Sequence, residues 1–254
     1  MKNKEKKSNI NTTLSKTAKF EISEAYKMAR TNMMFAISTD EKHTVVFTSC
    51  SSHEGKSTTC INMAISLAKT GIKTLLIDGD MRKPTVHRRL KIKSKVGLSN
   101  LLGGFCSVDD AIIPSSTENL YVIPAGTIPP NPAELLASKK TGEILTELQG
   151  KYDIILIDSP PVDIVVDSLL INPYVSGIVF IVKENSTTHP EIKKVISKIQ
   201  MVDGKIIGFI KTSCAPKQTS GNYGKYHRRY KNYGKKGSSY VVLDSHSSSD
   251  NVTK

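Results

Sequence analysis

Tryptophan is absent from the chain, and the four cysteines, Cys50, Cys60, Cys106 and Cys214, form no CxxC pair and no zinc-ligand spacing. A disulfide framework or a structural metal finds no support in that pattern, and reduced, mostly buried thiols are expected. No apolar run approaches the ~18 residues needed to cross a bilayer. The first twenty residues are polar and lysine-rich rather than signal-like, so a cytoplasmic location is expected. Acidic residues are scarce at both ends. Residues 1–20 hold Lys2, Lys4, Lys6, Lys7, Lys16 and Lys19 against Glu5 alone, and residues 217–236 hold seven bases and no acid. The formal charge of +13 therefore resides largely in two basic ends, which as flexible tails would be solvated or drawn to an anionic membrane or nucleic acid.

Between those ends lies an ordinary core composition, 38% hydrophobic over 254 residues, enough for one α/β domain. Short β-branched runs alternate with helical stretches, the pattern of a mostly parallel sheet flanked by helices. Strands are expected at 43–49, 73–78, 119–124, 152–158, 177–182 and 205–210. Several are apolar throughout, which suits strands buried on both faces. Helices are expected at about 20–38, 56–70, 132–149 and 188–202. The reading divides the chain into a basic N-terminus (1–19), a single domain (20–212) and a disordered tyrosine-rich tail (213–254), where Ser, Gly, Lys and Tyr replace aliphatic periodicity.

The first strand runs into TSCSSHEGKSTTCINMAISLA, residues 48–68, in which Gly55-Lys56-Ser57 precedes an amphipathic helix. This has the shape of a P-loop: backbone N–H groups and a helix N-terminus face phosphates, the lysine reaches the outer phosphates, and the serine hydroxyl binds Mg²⁺. Cys50 stands where the consensus has its first glycine. Two more strands end in acids, LLIDGDMR with Asp78, Asp80 and Arg82, and IILIDSPP with Asp158. An aspartate after a strand is often a helix cap or turn residue. In a parallel sheet, however, the carboxyl ends of neighbouring strands share one edge, so all three are expected to converge on the metal of the P-loop.

With these residues in view the chain resembles the bacterial tyrosine kinases that control capsule and exopolysaccharide synthesis. EGKST (54–58) matches their Walker A, LLIDGDMR (75–82) their Walker A′ and ILIDSPP (155–161) their Walker B. AGTIPPNPAELL (125–136), EAYKMARTN (24–32) and the tyrosine-rich tail continue the likeness over roughly residues 20–240. The resemblance implies a P-loop NTPase-like fold using ATP and Mg²⁺. Ser51, Ser52, His53, Glu54, Gly55, Lys56, Ser57, Thr58 and Arg82 would bind ATP; Lys56, Asp78, Asp80 and Asp158 would be catalytic; Ser57 and the three aspartates would hold the metal. Tail tyrosines Tyr223, Tyr226, Tyr230, Tyr233 and Tyr240 would be phosphorylated between subunits of a ring-like homo-oligomer, an octamer by the same likeness. Its helix at 20–38 would carry the assembly motif as Glu24, Lys27 and Arg30. A membrane adaptor would act as activator through its cytoplasmic tail, holding the enzyme at the inner face of the membrane, and a cognate phosphatase would reverse the modification.

Three departures carry physical content. His53 stands where relatives often have glycine, and a histidine held there at positive φ would cost on the order of 1 kcal/mol. Lys27 replaces an arginine and so lacks its planar fork. Thr212 replaces an asparagine expected near the adenine. For the tail, a helical packing stripe is disfavoured by Gly221, Gly224, Gly234 and Gly237. Base stacking in a nucleic-acid-binding tail is a further reading, with nucleic acid not the expected partner. A partitioning or positioning ATPase without kinase activity is the main alternative for the whole chain. Its signature lysine would fall at position 51, which is Ser51.

Overall fold

The computed structural model describes residues 20–40, 43–214 and 240–244. Eight strands form one sheet: β1 (Thr44–Ser49), β2 (Thr74–Asp78), β3 (Ile113–Pro114), β4 (Leu120–Ile123), β5 (Ile154–Asp158), β6 (Gly177–Lys183), β7 (Ile206–Cys214) and β8 (Tyr240–Asp244). Their order is β3-β4-β2-β5-β1-β6-β7-β8. The six strands from β4 to β7 in that order are parallel, and β3 and β8 close the two edges antiparallel. The helices are α1 (Phe20–Ala36), α2 (Lys56–Ala68), α3 (Val86–Arg89), α4 (Leu98–Gly103), α5 (Val108–Ala111), α6 (Pro132–Ala137), α7 (Lys139–Gln149), α8 (Asp167–Leu170) and α9 (His189–Gln200).

The central strands are apolar at every step because both faces are covered. Val45 and Phe47 of β1 belong to one core cluster with Tyr26, Ala29 and Met33 of α1 and Ala64 and Leu67 of α2. Val46 points the other way, into a second cluster with Leu101 of α4, Leu145 and Leu148 of α7 and Val195 of α9. The same alternation divides Leu76 from Leu75 and Ile77 on β2, and Leu156 from Ile155 and Ile157 on β5. Period-two burial on two faces thus produces the continuous hydrophobic runs seen in the sequence. Among the described residues no helix is long and apolar enough to cross a membrane.

Two expectations change. The single helix expected over 132–149 is two helices, because Ser138 is extended (φ −69°, ψ 150°). Its hydroxyl and that of Thr141 both donate to the Leu135 carbonyl, at 2.7 and 2.9 Å, satisfying a helix-end acceptor locally. The strand expected to end at residue 210 runs further. β7 runs through Cys214, and Tyr240–Asp244 pairs with it, Tyr240 in register with Cys214. YVVLD is rich in β-branched residues and adds a strand to an otherwise open sheet edge. The calls on residues 1–19, 215–239 and 245–254 lie outside the described residues.

Candidate functional site

β1, β2 and β5 lie side by side, and their carboxyl ends form one edge. Asp78 and Asp158 are register partners in the β2–β5 ladder, so their carboxylates are forced to be neighbours. α2 starts at Lys56 directly after the loop that follows β1. Gly55 precedes it in the left-handed region (φ 92°), with no side chain capping the first turn, leaving the helix N-terminus open to an anion. His53 also has positive φ, 67°. The left-handed conformation considered for this position is thus taken up by a histidine, at a cost on the order of 1 kcal/mol.

The Lys56 ammonium does not project into solvent. It donates to Asp158 Oδ1 at 2.5 Å and to Ser57 Oγ at 3.3 Å, and lies 3.8 Å from Asp80 Oδ2. Burial pulls the pKa of Lys56 down, but attraction to Asp158 and then Asp80 outweighs it, leaving the ammonium more basic than usual. Asp78 is wholly buried. Burial first, and then the charge on Asp158, push its pKa up to about 8, against the N–H of Val86, which donates to its Oδ2 at 3.0 Å. The Thr85 N–H reaches the same oxygen at 3.2 Å. Asp80 is likewise raised by burial, opposed by Lys56, and its Oδ1 accepts the Lys83 N–H at 3.0 Å.

Among the described residues no three His, Cys, Asp or Glu side chains gather into a ready cation cage. Asp78, Asp80 and Asp158 are the expected metal-binding acids, and the Lys56 ammonium stands against Asp80 and Asp158 and neutralises them. The residues nonetheless fit Mg²⁺. Asp78 Oδ1 and Asp158 Oδ2 are buried with no hydrogen-bond partner, a costly state that a hard cation relieves. Magnesium also binds through one or two carboxylates plus water and phosphate rather than a protein-only cage.

Other candidate residues have partners within the protein. Glu54 is buried, and its carboxylate turns inward to accept the Ser51 N–H at 3.0 Å and the Thr187 hydroxyl. The Thr212 hydroxyl donates to the Glu54 carbonyl at 2.7 Å. A Cβ at Gly55 would touch the Thr212 side chain at 3.5 Å. The loop is thus clamped by Thr187, which follows β6, and by Thr212 on β7. Arg82 is turned from the loop into a two-pronged pair with buried Asp167, Nε to Oδ2 at 2.9 Å and an Nη to Oδ1 at 3.1 Å. It therefore braces the A′ loop against α8. Thr187 and Asp167 were not foreseen; the one signal for Asp167 was an acid inside the apolar run IVVDSLL. Ser51, Ser52 and His53 are exposed, and Ser57 and Thr58 partly so, on the open side of the loop.

On α1, Lys27 pairs with Glu24 at 2.7 Å in solvent. Arg30 donates to the carbonyl and hydroxyl of Ser66 on α2, at 2.7 and 3.3 Å, and so holds the fold together. Tyr223, Tyr226, Tyr230 and Tyr233 lie outside the described residues, and Tyr240 opens β8.

Sheet order, loop and strand-end aspartates together define a P-loop protein of the NTPase-like α/β class, and the family model described as an AAA domain matches residues 45–207. Tyrosine-protein kinase YwqD of Bacillus subtilis is 37% identical over 188 residues, which span 74% of this chain and 79% of that protein. The crystal structure of the chimerical protein CapA2B2 superposes with a TM-score of 0.73 at 36% identity, covering 77% of this chain and 86% of that one. MinD from Pyrococcus horikoshii, complexed with Mg-ADP, shares the fold at a TM-score of 0.57 and 24% identity, over 66% of this chain and 68% of its own. The chain belongs to the bacterial tyrosine-protein kinases.

Proposed function

We propose that the chain is an ATP-dependent tyrosine autokinase that modifies its own C-terminal tyrosines, and that it acts in the control of capsule or exopolysaccharide synthesis. The observation that carries this reading is the Lys56–Asp158–Asp80 contact at the mouth of a clamped P-loop, in a chain with five tyrosines among residues 221–240. Phosphoryl transfer needs positioning and charge neutralisation more than covalent chemistry. ATP lies along the loop from Ser51 to Thr58, and the Lys56 ammonium moves from the aspartates to the outer phosphates. Ser57, Asp78, Asp80 and Asp158 would hold Mg²⁺, which when bound neutralises charge on the transferring group. One of Asp78 and Asp80 takes the proton of the incoming phenol. That proton has an ordinary pKa near 10, so a positioned carboxylate assists its removal.

The tyrosine enters from a neighbouring subunit of a ring-like homo-oligomer, a membrane adaptor supplies the activating cytoplasmic tail and holds the enzyme at the inner face of the membrane, and a phosphatase resets the tail. The test is phosphotyrosine mapping by mass after incubation with ATP and Mg²⁺, on wild type and Lys56→Ala, with and without the adaptor's tail. Phosphate on residues 223–240 of the wild type alone is the expected result. ATP hydrolysis with an unmodified tail, adaptor present, would reassign the chain to the positioning ATPases.

A further inference from the structure

The segment that leaves the A′ aspartates carries charge that the phosphate site does not use. Residues 82–95 read RKPTVHRRLKIKSK, seven arginines and lysines, and no acid occurs between Asp80 and Asp109. Lys83, Arg88, Lys91, Lys93 and Lys95 are exposed, and among the described residues none of their side chains has an ion-pair partner. These cations are not on a loose loop. Val86 is fully buried, Leu90 and Ile92 pack on the same core cluster, and the N–H groups of Thr85 and Val86 are held by Asp78. Lys91 adopts a left-handed φ of 57° that ends α3, and the Ile92 N–H returns to the His87 carbonyl at 2.8 Å. Apolar positions at 86, 90 and 92 thus pin the chain while the bases between them face water.

Position gives this surface meaning. The segment starts at the carboxyl end of β2 and ends where the Leu98 N–H meets the Pro124 carbonyl, just past β4. Both strands are parallel to β5 and β1, so the segment begins and ends at the edge that holds Lys56 and Asp158. Whatever they bind sits beside the transfer centre. The chain's own tail is a poor match, because residues 217–236 are themselves basic. We infer that this surface docks acidic residues flanking a tyrosine in a separate protein substrate. The inference rests on the kinase reading, and it adds a substrate class that carries the charge the tail lacks.

The experiment uses the full chain and an Arg88→Glu/Lys93→Glu/Lys95→Glu variant, with Lys93→Gln/Lys95→Gln as a milder second variant. The probes are two synthetic peptides with one tyrosine each, flanked by glutamates in one and by glutamines in the other. Fluorescence anisotropy should show the acidic peptide binding about ten-fold tighter, the sum of a few exposed ion pairs. That preference should vanish in the triple variant, shrink in the milder one, and weaken as salt shortens the Debye length from about 10 Å. KM for the acidic peptide should rise about ten-fold, with kcat and tail phosphorylation unchanged. Equal binding of the two peptides overturns the inference, as does binding of phosphatidylserine vesicles lost in the triple variant while peptide binding persists. Selective binding without phosphorylation of any tyrosine would leave the docking surface standing and sink the kinase reading instead.

Discussion

Lys56 meets Asp158 at 2.5 Å at the sheet edge, and Lys27 meets Glu24 at 2.7 Å on α1. The first pair is 8% and 0% exposed, the second 54% and 46%. Contact distance hardly separates them, but the surrounding medium does. At 4 Å two unit charges interact by about 1 kcal/mol in water and about 4 kcal/mol at an effective dielectric of 20. Burial therefore sets one pair in a cluster where the pKa values of Lys56, Asp78 and Asp80 are displaced and buried oxygens lack partners, while the other remains an ordinary surface contact. The comparison separates what the molecule uses for chemistry from what it merely displays, and it can be pressed at several points.

The largest effect belongs to Lys56→Ala. If Lys56 stabilises the transferring group as proposed, its loss should slow phosphotyrosine formation on the order of 10³-fold, measured by anti-phosphotyrosine detection under saturating ATP. The same substitution leaves Asp158 buried without its cation, which should cost about 3 kcal/mol in urea unfolding at neutral pH. Unchanged stability would mean that water reaches Asp158 in the folded protein and that the contrast with Lys27 is overstated.

Asp78→Asn tests the same cluster through pH. An aspartate whose folded pKa is raised from 3.8 to about 8 keeps its proton in the native state after the unfolded chain has lost it. Its contribution to stability is therefore greatest below pH 4 and declines as pH rises through the window from about 4 to 8. Asparagine accepts the same two N–H groups and never ionises. In metal-free protein the variant should be more stable than wild type, with the gain in melting temperature growing from pH 5 to pH 8 and flat above. A gain independent of pH would remove Asp78 from the group of displaced carboxyls.

Much of this edge was legible beforehand for one reason. In a parallel sheet, strands that end in Asp78 and Asp158 must bring those residues together, and a glycine-lysine-serine after the first strand must face them. Asp78 and Asp158, eighty residues apart in sequence, needed only strand periodicity to be paired. The clamp on the P-loop had no such guide. Thr187 lies 133 residues from Glu54 and Arg82 lies 85 from Asp167, and neither pairing follows from any period of helix or strand. His53 and Thr212 were visible as departures from the pattern, but their conformation and partner were not. β8 was missed because composition outweighed a five-residue β-branched run at the far side of a glycine-rich stretch.

The clamp predicts a smaller effect than either charged residue. Thr187→Val removes one of the two hydrogen bonds made to the buried Glu54 carboxylate, and Thr212→Val removes the bond to its carbonyl. Each should weaken ATP binding by about 1 to 2 kcal/mol, roughly five- to thirty-fold in Kd by calorimetry. The maximal rate should be little affected, and Thr212→Ser should restore binding. A loss confined to kcat would place these hydroxyls in the transfer step rather than in holding the loop.

The smallest effect is the one that completes the comparison. Lys27→Ala should change monomer stability by less than about 0.5 kcal/mol in urea unfolding, because its pair with Glu24 is exposed, screened and one helical turn long. Arg30→Ala, three residues on, should cost about 1.5 to 3 kcal/mol, since its guanidinium is partly buried and hydrogen-bonded to the Ser66 carbonyl. The two residues belong to one expected assembly motif, so sedimentation velocity at matched stability separates their roles. If Lys27→Ala abolishes the proposed ring while leaving the monomer intact, the exposed pair has a use in assembly that burial alone does not reveal. If only Arg30→Ala affects assembly, and in proportion to lost stability, the motif on α1 acts by fixing that helix on α2.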